Sequence, residues 1–76
     1  MNWENLSDVL DWCKKNITAP LGHPNIGEIK IISLPLGFRV TIAFITDNPI
    51  LGNTVVRRYD VDPSGKILDT KEQRLL

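Results

Sequence analysis

Cysteine and histidine each occur once in this chain of 76 residues. Cys13 has no intramolecular partner, which excludes a scaffold built on disulfides. Cys13 and His23 fall in different predicted elements, and no Cys/His cluster has the spacing that zinc requires, so neither a metal nor another cofactor is expected. His23, between Gly22 and Pro24, reads as a solvated loop residue. Charge of one sign is also missing. Nine basic and nine acidic residues give a formal charge of zero, which supplies no field for nucleic acid or an anionic membrane. The apolar runs are broken by proline, glycine or charge and fall short of the roughly 20 residues a membrane span needs. The five glycines are isolated from one another, so no phosphate-cradling loop is present. Met1-Asn2-Trp3-Glu4-Asn5 has no basic stretch leading into an apolar one, so no secretory signal is expected, and the cytoplasm is the expected compartment.

What is present fits one small domain over residues 1–76, with 71–76 as a frayed tail unless Leu75 and Leu76 dock. Asn2 can cap a helix beginning at Trp3, with Glu4, Asp8 and Asp11 ahead of Lys14 and Lys15. Trp3, Leu6, Val9, Leu10, Cys13 and Ile17 then form one apolar stripe. Pro20 ends the helix near Asn16–Thr18 by excluding helical backbone at Ala19.

Beyond the loop at 19–24 the apolar period becomes two. Ile29 and Ile31 alternate with charge, and Phe38, Val40, Ile42 and Phe44 alternate with Arg39, Thr41 and Ala43. Thr54 to Val61 is a third strand, and Lys66 to Thr70 a short fourth. Connections of hairpin length predict an α+β fold, one N-terminal helix on an antiparallel meander of three to four strands. The helix should cover Ile29, Ile31, Phe38, Val40, Ile42, Phe44, Val55, Tyr59 and Val61. The other face carries Glu28, Lys30, Arg39, Thr41, Arg58 and Asp60, together with Ile32, Ala43, Ile45 and Val56.

Several local patterns suggest chemistry and are better explained otherwise. Asp60-Val61-Asp62-Pro63-Ser64-Gly65 resembles the start of a calcium loop, but its twelfth position is Lys71, where a bidentate glutamate is needed. Asp62-Pro63-Ser64-Gly65 is instead a hairpin turn with a left-handed glycine. Cys13 lies on the apolar stripe as an inert thiol, and a single histidine leaves little room for a triad.

Three sets of residues do suggest a role. Trp12 lies off the predicted helix stripe, so it either packs over the helix shoulder or is exposed as an interaction hot spot. Leu34 and Leu36 bracket Pro35 at one hairpin tip, and Ile50 and Leu51 follow Pro49 at the other. These tips either extend the core, with Leu34 or Leu36 under Trp3 and Leu21 against Ile50, or mark a contact surface. Arg57 shares parity with Val55 and Tyr59, which aims it inward: it snorkels at an edge, or a bulge shifts the register, or it binds an anion or carboxylate at the helix–sheet margin.

The leading expectation is a small, soluble, non-enzymatic protein-interaction or regulatory module. Its partner would be another protein, or a second copy paired through the open sheet face or an edge strand. The alternative is a ligand-binding or enzymatic domain in which Arg57 and Tyr59 contact an anion between helix and sheet. That reading requires an Arg57 not bound by the protein's own carboxylates. A weak nucleic-acid site ranks third: Lys30, Arg39 and Arg58 share the open face, but so do Glu28 and Asp60, and no aromatic residue lies there.

Overall fold

A computed structural model describes residues 2–47 and 54–75. Two asparagines compete to start the helix, and the second prevails. Asn5 is extended at φ −100°, and its side chain accepts from the amides of Ser7 and Asp8. Helix α1 therefore runs over Leu6–Asn16, three residues later than the expected start at Trp3. Asn2 caps the turn before it, accepting from the Glu4 amide at 2.9 Å while its own amide donates to Asp8. At the far end the Ile17 amide closes onto the Cys13 carbonyl.

The four strands are β1 (Asn25–Leu34), β2 (Gly37–Ile45), β3 (Thr54–Val61) and β4 (Ile67–Leu75). They pair antiparallel in chain order, β1-β2-β3-β4, as an open meander with the helix on one face. The core holds Val40, Ile42, Phe44, Val55, Tyr59 and Val61 from the sheet, with Ile29, Ile31 and Phe38 packed against it. That is the face predicted from strict alternation. The expectation of a frayed tail is corrected: β4 continues to Leu75, with Glu72 opposite Arg57 and Arg74 opposite Val55 in the β3 register. Backbone pairing with β3 runs along the whole strand, and Glu72 adds an ion pair to Arg57 at 2.7 Å, although the strand is exposed along nearly its whole length.

The helix face is also corrected. With α1 beginning at Leu6, the buried positions are Val9, Trp12 and Cys13, which span about 100° of the helix at ~100° per residue. Trp3 leaves the stripe for the preceding turn and stacks on Phe38, with ring centroids 5.3 Å apart. Leu6 and Leu10, expected inside, lie on the helix flank and are exposed.

The β3–β4 turn has the chemistry its sequence predicts. The Gly65 amide donates to the Asp62 carbonyl, and Gly65 is left-handed at φ 92°. The Asp62 carboxylate accepts from the amides of Ser64 and Lys66 and from the Ser64 hydroxyl. Those bonds, the hydroxyl's foremost, hold the Asp62 carboxyl below its ordinary range and commit it to the turn. Gly37, after the tight Pro35-Leu36 turn, has a different reason to be glycine. A Cβ there would lie 2.0 Å from the Val61 carbonyl oxygen, so the strands can approach only without one.

Candidate interaction surface

The sequence candidates separate into two groups, those enclosed by the fold and those displayed by it. Trp12 belongs to the first and is only 5% exposed. Its Nε1 donates to the Gly65 carbonyl at 2.8 Å, and its ring meets Trp3 and Tyr59 edge-on. The hot-spot role for Trp12 is thereby corrected: the shoulder of the helix is covered by the β3–β4 hairpin. His23 is corrected likewise, since it is buried at 4% exposure, with its amide donating to the Pro20 carbonyl. Burial raises the Cys13 thiol above its ordinary value, consistent with an unreactive core residue.

Arg57 does face inward, as parity requires, and its guanidinium lies over the Phe44 ring, 5.3 Å from the centroid. Its donors are occupied within the chain. Nε and Nη2 donate to one carboxylate oxygen of Glu72 at 3.1 and 2.7 Å. Nη1 donates to the Thr18 carbonyl and to the Tyr59 hydroxyl, both at 2.8 Å. Arg57 thus joins β4 and the chain after α1 to the sheet. Glu72 is held below the ordinary carboxylate range by its hydrogen bonds from Arg57, and burial raises Tyr59. The condition set for an anion-binding Arg57, freedom from the protein's own carboxylates, is not met. On the open face Arg39 makes a two-pronged bond to Asp60, at 2.8 and 3.2 Å, and Arg58 lies 4.0 Å from both Asp60 and Asp69. Arg39–Asp60 and Arg58–Asp69 are cross-strand pairs of a kind that stabilise a sheet, whereas Arg58 and Asp60 both belong to β3.

The displayed group gathers at one end of the sheet. Leu34, Pro35 and Leu36 of the β1–β2 tip do not turn under Trp3, whose place beneath the helix is filled by Phe38. They line a recess of about 370 Å³ with Val61 and Leu68. Leu36 is 85% exposed and Leu68 is 61% exposed. Asp60 and Asp69 complete its wall, so an apolar floor has carboxylates at its side. Leu68 escaped the sequence reading because it breaks alternation: Asp60 pairs with Asp69 and Val61 with Ile67, which leaves Leu68 as the extra residue of a bulge. The adjacent pair Ile67-Leu68 just after a hairpin turn was the signal. Ile50 and Leu51, the candidates at the other tip, lie outside the described residues.

A second, smaller recess of about 190 Å³ runs between the helix flank and β1, lined among others by Leu10, Lys14, Ile17, Pro24 and Ile26. Among the described residues no three His, Cys, Asp or Glu side chains come together as a metal site, and no helix is long and apolar enough to cross a membrane. No protein-family model matches this chain, and neither a curated protein nor a solved structure does.

Proposed function

We propose that this chain acts by binding rather than by catalysis, as a protein-interaction module whose end-of-sheet recess receives an apolar side chain of a partner protein. One observation carries the reading: Leu36 and Leu68, from two different hairpins, are held side by side in solvent around one concave apolar floor. A small domain gains stability by burying such side chains, and grouped exposed leucines mark contact surfaces more often than isolated ones do. The Asp69 carboxylate, more than half exposed, adds a charge preference at the wall. The matching ligand is an aliphatic or aromatic side chain next to a lysine or arginine.

The test is a photo-crosslinking residue at position 36, followed by purification of any captured protein and measurement of its affinity. Leu36→Asp and Leu68→Asp should each weaken that affinity at least about tenfold, the scale of a lost apolar anchor. Both sites are exposed, so circular dichroism should show an unchanged fold. A captured protein that binds both variants as tightly as wild type would sink the reading, as would no capture at all.

A further inference from the structure

The two edges of the sheet are built differently. Outer strand β4 carries Asp69, Lys71, Glu72 and Arg74, a charged edge of the kind that discourages pairing with another chain. Outer strand β1 has a bulge at its start, between Ile26 and Glu28, and then continues as Glu28-Ile29-Lys30-Ile31-Ile32, with two charges of opposite sign. Its helix-side flank is apolar and open: Leu6 is 63% exposed, and Leu10 and Ile26 are also exposed. At ~100° per residue Leu6 and Leu10 lie within about 40° of each other, and Leu10 meets Ile26 of β1 at the smaller recess.

We propose that β1 is the seam of a symmetric dimer, in which a second copy of this chain extends the sheet to eight strands. The occupant is identified by charge. In a symmetric antiparallel pair the two-fold axis stands normal to the sheet, and residues equally far from it face each other on the same side. Glu28 and Lys30 both lie on the open face, opposite Ala43 and Thr41 of β2, where they form an exposed ion pair of 3.5 Å within the chain; a surface pair of this kind is weak and can exchange partners across a seam. An axis at Ile29 sets Glu28 of each copy against Lys30 of the other and Ile29 against itself. Moving the axis by one residue sets Glu28 against Glu28, or Lys30 against Lys30. Moving it to Ile31 leaves Lys30 facing Ile32. Of these four axes only the one at Ile29 sets unlike charges opposite each other, over the regular stretch that resumes at Glu28.

The same axis keeps both helices on one face of the joined sheet. Leu6, Leu10 and Ile26 of each copy then border the seam from both sides, and the flank left open by the single chain is covered. This surface is separate from the recess proposed above, because Leu34 lies five residues from Ile29, about 17 Å along the strand. Loss of either surface would leave the other to be measured.

Sedimentation equilibrium of the full chain tests the seam. Wild type should approach twice the 8.6 kDa chain mass in the micromolar range. Glu28→Lys alone and Lys30→Glu alone each turn two attractive contacts into two repulsive ones, and each should weaken the dimer about tenfold. The double variant E28K/K30E recreates opposite charges in reversed order and should restore wild-type affinity. Both side chains are more than half exposed, so circular dichroism should report the same fold in all four proteins. A wild type that stays monomeric, single variants that dimerise as wild type does, or a double variant no better than the singles would each overturn the proposal.

Discussion

Trp12 and Gly65, 53 positions apart in the chain, are joined by one hydrogen bond of 2.8 Å between the indole N–H and the glycine carbonyl. The bond closes the helix onto the β3–β4 hairpin, and it is buried at both ends. Replacing Trp12 by Phe removes the donor and leaves a buried carbonyl unpaired, which should cost about 1–3 kcal/mol. Trp12→Ala adds a cavity and should cost about 3–5 kcal/mol. Urea unfolding followed by far-ultraviolet circular dichroism measures both, and a Trp12→Phe variant as stable as wild type would show that the hydrogen bond contributes nothing.

Gly37 gives a second prediction. A methyl group there meets the Val61 carbonyl oxygen at 2.0 Å, and backbone on both sides leaves no side chain to move aside. Gly37→Ala should destabilise the fold by about 1–3 kcal/mol, as overpacking does elsewhere. A variant as stable as wild type in the same urea titration would mean that the β2 and β3 backbones separate freely at this point.

Acid should weaken the protein through Asp60. The Arg39 guanidinium, hydrogen-bonded to Asp60, holds its carboxyl below the ordinary value. A carboxyl depressed in the folded state contributes stability that is fully present above its unfolded value, and that is lost as pH falls through the folded one. The loss should therefore begin below about pH 4. Glu72, depressed by Arg57, adds a loss of the same sign. Asp60→Asn should be less stable at neutral pH and should lose less on acidification. Thermal melts between neutral pH and strong acid compare the two slopes, and parallel slopes would remove Asp60 from the account.

Arg57 is predicted to be structural. Arg57→Met keeps much of the packing against Phe44 but leaves Thr18, Tyr59 and Glu72 without their donor. The expected cost is about 1–3 kcal/mol. Arg57→Lys should restore only part of it, since one ammonium cannot reproduce the planar fork that reaches three acceptors. Full rescue by lysine, read by melting temperature, would show that charge alone suffices there.

Much of this fold is legible from side-chain alternation, which is a local property. Phe38 to Phe44 and Thr54 to Val61 declare their inward faces, and Asp62 to Gly65 declares its turn. The helix start was less legible because Asn2 and Asn5 are equally good caps in isolation, and only the turn held between Asn2 and Asp8 chooses between them. That displacement moved Trp3 off the helix and brought Trp12 to its buried face. The extension of β4 was hidden for a related reason. Its pairing partner is supplied by β3, and Glu72 reads as a tail residue until Arg57 is placed directly opposite. Leu68 joined the recess through a bulge, which parity cannot foresee.

The meander also determines how the chain can fold. Each strand pairs with its neighbour in sequence, so the sheet grows by successive local zippering, and the entropic cost of closing any one hairpin stays small. Docking of α1 is a long-range closure that brings residue 12 to residue 65, and the Arg57–Thr18 bond closes the chain after it across 39 positions. Trp12 on the helix and Trp3 in the turn before it place a natural fluorescent reporter on that step.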